Sequence, residues 1–359
     1  MSLIRSGRLK GGAGGRTGEQ LDDTADTPTV DRGGRPARYT AVGGVLLFAV
    51  LAYMPYVLVT GVTQTMVVFF YLAAMALMWN LLAGYAGLVS VGQQAYVGLG
   101  AYAVLQFSNW GVQPYLGVWL AALACAVIAL PTSFAVFRLR ADYFAVGTWA
   151  IAEVYHLLTI QDSGLGGGSG SPLTTLSGID PVMRDALTYW TALAVAGCCA
   201  LGCFLLLRGR LGLALTAIRD DETAAGSSGV NVGQAKRTVY LVAAAGCGAA
   251  GGLVIVSQLN VAPDSAYSVQ WSAYMIFMVL LGGIGTLEGP IIGAALFTIV
   301  QQYFSSDGAW YLIVLGAACV PAAIWLPRGL WGLVERLTPM RIFPLGRRIT
   351  PPQHSQTAE

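Results

Sequence analysis

Apolar runs close to 20 residues long repeat along most of this chain, separated by short polar stretches. Clear runs occupy 41–60, 64–84, 115–136, 189–207, 238–257 and 309–327, and weaker ones interrupted by glycine lie at 86–107, 143–160, 273–284 and 291–304. A helix needs about 20 mainly apolar residues to cross the hydrocarbon core of a bilayer. The pattern therefore predicts an all-α, polytopic transmembrane helix bundle of about ten spans, some of them broken or half-length. A polar tail at 1–40, a membrane domain at 41–337 and a second tail at 338–359 complete the division.

Composition agrees with this class. Of 359 residues, 55% are hydrophobic and 11% charged, against roughly a quarter charged in an ordinary soluble domain. Basic residues are retained on the cytoplasmic side of spans, and here they are one-sided. They sit in the N-terminal tail, at Arg138 and Arg140, in the segment 208–237 and from Arg328 onward; Arg184 alone is assigned to the other face. That other face carries Asp162, Asp180, Asp185, Asp264 and Asp307. Both termini are expected in the cytoplasm, with the chain crossing the membrane several times. The net charge of +2 reflects this topology and implies no nucleic-acid partner.

The first forty residues lack apolar periodicity and read as a disordered tail. The first apolar stretch begins near Ala41 and is of spanning length, so no cleavable signal peptide is expected. GGAGGRTGEQ in the tail fails the phosphate-loop pattern: its glycines are too close, and Arg16 stands where lysine is needed. The six cysteines all fall inside apolar runs and read as small buried hydrophobes, not as disulfides or a metal site. No catalytic motif is present, and His156 and His354 are the two histidines. An enzyme embedded in the membrane is accordingly a remote reading.

Two Gly-rich interruptions, residues 84–102 and 282–296, put polar groups where a lipid-facing helix would be apolar. Backbone that unwinds at membrane depth must be covered by protein or line a cavity, and broken spans at corresponding places in two halves point to a translocation path. Ser90, Gly92, Gln93, Gln94 and Gly98 in the first, with Gly282, Gly283 and Gly285 in the second, are the candidate pathway residues. Close helix packing is the alternative use of the glycines. Glu153 joins the candidates because it lies about 16 Å along a helix from Asp142, near mid-membrane. Its alternative role is to tie helices together, with His156 one turn away as partner.

The one long polar segment between apolar runs is 208–237. Leu211, Leu215, Ile218 and Ala225 fall at helical intervals and predict one short amphipathic helix, with Arg219, Asp220, Asp221 and Glu222 on its other faces. Gly226 and Gly229 would end it, and Asn231 with Gln234 three residues on would start the next span. The polar face mixes both signs of charge and has no bulky aromatic anchor. Docking into a partner fits it better than lying on lipid.

AIRDDETAAGSSGVNVGQAKR (217–237) resembles the cytoplasmic loop of bacterial branched-chain amino acid ABC transporter permeases. NLLAGYAGLVSVGQQAYVGLGAY (80–102), RLRADYFAVGTWAIAEV (138–154), LGGGSGSP (165–172), VLLGGIGTLEGPIIGAAL (279–296) and LPRGLWGL (326–333) are similar to further blocks of that family, in order. The RLRADYF block and the Gly-rich segment after it point to the longer, M-type permease. Gln93 and Gln94 depart from a pattern that often has His followed by a small residue, and RADYF replaces RGDYF. The urea and short-amide permeases share the same blocks, which leaves the solute open.

The resemblance implies an ABC importer permease fold in a bacterial inner membrane. It also implies a non-enzymatic subunit forming half of a pathway for branched-chain amino acids, with a paralogous permease as the other half. Two ATP-binding subunits would hold ATP and Mg, this chain binding no cofactor, and an extracellular solute-binding protein would deliver solute. Coupling to the ATPases would fall on Leu215, Ile218, Arg219, Asp220, Glu222, Ala224, Ala225, Gly229 and Asn231, moving as a rigid lever. An ion-coupled transporter or channel acting alone is the competing class. It would need several intramembrane carboxylates, whereas the sequence offers Glu153.

Overall fold

A computed structural model describes residues 35–57, 59–139, 141–304, 313, 316–317, 319–321 and 329–337. Residues 1–34 of the tail predicted at 1–40, the tail at 338–359, most of the run 309–327, and Arg140 and Arg328 lie outside the described residues. The described chain is helical almost throughout: α1 (Arg35–Tyr53), α2 (Thr60–Asn80), α3 (Gln94–Asn109), α4 (Pro114–Val136), α5 (Ala141–Gln161) and α6 (Pro181–Arg208). Two short helices follow, α7 (Arg210–Asp220) and α8 (Glu222–Ser227), then α9 (Val232–Gln258), α10 (Pro263–Ala266), α11 (Gln270–Gly282), α12 (Glu288–Phe304) and α13 (Gly329–Leu337). Among the described residues, four helices are long and apolar enough to cross a membrane: 61–85, α4, α6 and α9. Helix α1 starts at Arg35, inside the segment predicted as tail.

The bundle is organised around α9 and α2. Helix α9 packs against α4, α3, α2 and α6, and α2 against α6, α11 and α12. The sequence of α9, VAAAGCGAAGGL, explains this position, because small residues let backbones approach closely. A Cβ on Gly251 would lie 2.0 Å from the Val97 carbonyl oxygen, and one on Gly100 2.0 Å from that of Gly248. Helices α3 and α9 therefore meet backbone to backbone.

Three of the four weak runs turn out broken or short, while the fourth, 143–160, is the continuous 21-residue α5. Helix α2 passes directly into a π-helical turn, Leu81–Tyr85, and Gly87 at φ 68° ends it. Residues 87–93 are irregular, so the span predicted at 86–107 begins only at Gln94. The runs at 273–284 and 291–304 are α11 and α12, of 13 and 17 residues, joined at a Gly-rich turn. At 1.5 Å per residue α11 rises about 20 Å, about two-thirds of a core of about 30 Å. Among the described residues the strand content is one two-residue antiparallel pairing, Ser171–Pro172 with Asn260–Val261, which fastens the loop after α5 to the end of α9. All six cysteines are free; Cys198 is exposed and so departs from the buried role predicted for it.

Candidate functional site: a knot joining the polar segment to both broken spans

The polar segment does not form one helix. Asp221 takes an extended conformation (φ −155°, ψ 110°), and its Oδ1 accepts from the amides of Thr223 and Ala224 at 2.8 and 3.0 Å. An aspartate able to cap the next turn competes with helix continuation, and here it divides 210–227 into α7 and α8. The rigid single lever predicted from the apolar stripe is corrected accordingly. Helix α8 also runs through Gly226 and gives way at Gly229, φ 86°. Asn231 caps α9 as the sequence predicted, its Oδ1 accepting from the Gln234 amide at 3.0 Å.

The stripe itself is spent within the chain. Leu215, Ile218 and Ala225 are buried, α7 packing on α6, α9 and the π-helical turn. Those three side chains therefore cannot enter a partner's groove in this conformation. The outward surface includes Leu213, Asp220, Thr223 and Ala224, with Glu222, Gly229 and Asn231 also exposed. Glu222 is held by Lys236 of α9 at 2.6 Å, which ties α8 down to the bundle.

Arg219 reaches inward. One of its Nη atoms donates to the Gly84 carbonyl in the π-helical turn at 3.0 Å, while Nε and the other Nη meet Asp220 at 3.3 Å. Asn80, one turn before Gly84, binds the second break on both of its amide atoms. Its Nδ2 donates to the Thr286 carbonyl at 2.7 Å, and its Oδ1 accepts from the Gly285 amide at 2.8 Å. A Cβ on Gly84 would come within 2.7 Å of the Gly285 nitrogen, so the two breaks touch. Gly283 and Gly285, at φ 131° and 76°, have the left-handed conformations that this turn requires. Gly282 packs against the Gly289 carbonyl. The polar segment, the end of α2 and the α11–α12 turn are thus one connected knot. Sequence reading missed Asn80, although an asparagine at the end of an otherwise apolar span was a usable signal.

The other pathway candidates have definite partners. Ser90, Gln93 and Gln94 are all buried. The Ser90 carbonyl accepts from Trp79 Nε1 at 2.8 Å and its hydroxyl from the Gly92 amide at 3.3 Å. Gln94 Oε1 accepts a very short hydrogen bond from Ser272, joining α3 to α11. The amide group of Gln93 meets no partner among the described residues. Gly92 lies against the Thr148 carbonyl and Gly98 against the Tyr267 ring, so both glycines act in close packing. Glu153 is on the outside of the chain, 55% exposed, and is not alone: His156 Nδ1 lies 3.2 Å from it, and His156 Nε2 lies 3.1 Å from Asp264 on α10. The predicted His156 partnership is present, and the sequence missed Asp264 because it is 108 residues away. No group of three or more metal-ligating side chains occurs among the described residues.

Comparison with known proteins fits this architecture. The LivM high-affinity branched-chain amino acid permease proteins of Salmonella typhimurium and Escherichia coli are each 29% identical to this chain over 281 residues. The matched region takes in 70% of this chain but 65% of each relative's own length. A probable LivM permease protein of Methanocaldococcus jannaschii is 25% identical over 240 residues, 65% of this chain and 68% of that protein. No solved structure matches. Residues 61–322, the helical domain that contains the knot, fit the family described as the permease component of branched-chain amino acid transport systems. The chain is an integral membrane protein and belongs to that family.

Proposed function

We propose that this chain is one half of the membrane pathway of an ATP-driven importer for branched-chain, hydrophobic amino acids. A paralogous permease completes the pathway, an extracellular binding protein delivers the solute, and two ATPases holding ATP and Mg dock on the cytoplasmic side of an inner membrane. Both termini face the cytoplasm, as the one-sided basic residues favour. The observation that carries the reading is the contact of Arg219 with Gly84, because it links a charged loop to both interrupted spans. An ATPase that bound the outer faces of α7 and α8 would pull on the two places where the membrane helices are already broken. ATP would then select one arrangement of the pathway by binding it more tightly than the other.

The test is uptake into proteoliposomes containing the full complex. Removing the ATPases abolishes uptake, and Arg219→Ala lowers uptake per ATP hydrolysed by about tenfold with insertion intact. Arg219→Lys, which keeps one donor within reach of the Gly84 carbonyl, recovers part of it. Uptake that persists without ATPases would overturn the reading.

A further inference from the structure

Two cavities adjoin at the end of the bundle remote from Arg219, about 40 Å along α9 from Val232. One, of about 290 Å³, is walled largely by apolar groups, among them Val97, Val254, Ile255, Val261 and Ala266. The other, of about 320 Å³, is lined by Asp264, Gln270 and Gln301 together with the rings of Tyr71 and Tyr274. They share Gln258, Ser265 and Trp271, and the Trp271 indole is held against the Ser265 carbonyl at 2.9 Å. Each volume is at the small end of the range typical of ligand sites, about 300–1,000 Å³.

The chemistry of the two linings differs in a way that selects a solute. Among the residues lining them, Asp264 is the one charged group, and no basic side chain faces either space. An anion without an ammonium group would find no counter-charge. The Gln301 Oε1 is buried and meets no donor among the described residues. A buried amide oxygen left without a donor carries a desolvation penalty that an incoming N–H group relieves. Next to these acceptors lies an apolar space suited to a compact aliphatic group.

We propose that the paired cavities hold an α-amino acid with an aliphatic side chain. The ammonium sits by Asp264 and the Gln301 oxygen and offsets the charge of the solute's own adjacent carboxylate. That group takes the side-chain amide N–H groups of Gln258 and Gln270, and the solute's side chain lies among Val254, Ile255 and Val261. This rests on the importer reading and adds a solute-holding site, with specificity determinants, in the permease itself. His156 lies 3.1 Å from the Asp264 carboxylate but lines neither cavity.

Binding of radiolabelled leucine and alanine to the purified complex in nanodiscs, with no binding protein present, tests it. Saturable leucine binding is expected in the wild type. Asp264→Asn, at an 85% exposed position where folding is not at risk, weakens it about tenfold. Ala262→Leu, which fills part of the apolar cavity, weakens leucine more than alanine. His156→Gln leaves leucine affinity within about twofold, since it alters a neighbour of the carboxylate and not the cavity. Unchanged affinity in Asp264→Asn, or an equal loss in His156→Gln, would overturn the site. So would absence of wild-type leucine binding in a complex whose ATP-driven uptake is intact. Absence of uptake itself would instead sink the importer reading.

Discussion

The most apolar stretches of helices α9 and α4 are closely matched in hydropathy, yet 83% of that of α9 is buried within the chain and 33% of that of α4. The difference lies in side-chain size. Helix α9 presents glycine, alanine and Cys247 to its neighbours, whereas α4 turns Leu116, Trp119, Leu123, Val127, Leu130 and Phe134 outward. In hydrocarbon, apolarity does not drive helices together, because lipid tails are as apolar as leucine; close backbone approach does. The large residues of α4 are left for lipid or a second subunit, while α9 and the interrupted α2 hold the bundle together.

Four changes would break or sharpen that contrast. The largest effect is expected from Gly251→Leu, because no side chain fits 2.0 Å from the Val97 carbonyl. It should destabilise the bundle by about 3 kcal/mol or more, read as loss of the monodisperse peak in detergent chromatography. Next comes Asn80→Ala, which deprives both the Gly285 amide and the Thr286 carbonyl of their partner. About 1–2 kcal/mol should be lost, measured as a lower melting temperature, and ATP-coupled uptake should fall with it. Glu222→Lys sets two cations together at Lys236, but Glu222 is more than half exposed. Its effect on stability should stay near 0.5 kcal/mol, with hydrogen exchange in α8 rising locally. Leu123→Ala on α4 should change stability by no more than about 0.5 kcal/mol; a larger loss would mean that α4 is packed where the described chain leaves it open.

Helix positions were readable from hydropathy because spanning length is a strong constraint, and the two interruptions were readable because glycine and polar residues cannot sit unpaired in lipid. What the Gly-rich blocks were for was less legible. Gly92 and Gly98 have the spacing of either a path or a packing face, and their contacts with Thr148 and Tyr267 place them in packing. The stripe Leu215, Ile218 and Ala225 reads as one continuous helix by periodicity alone. The single carboxylate of Asp221, a capping residue as well as a polar face, is what divides it. Asp264 and Asn80 escaped because their partners are 108 and more than 200 residues away, a separation that no local pattern encodes.

The hydrogen bond from Asn80 to Thr286 spans 206 residues, and that distance has a meaning in time. A ribosome adding about 5–20 residues each second takes on the order of 10–40 s to cover it. Throughout that interval α2 is already made, while the turn that completes its broken end does not yet exist. Until then Asn80 lacks the partners it has in the folded chain. Nascent chains stalled before Gly285 should therefore keep Asn80 reachable by water-soluble labels placed at that position, and chains released after α12 should not.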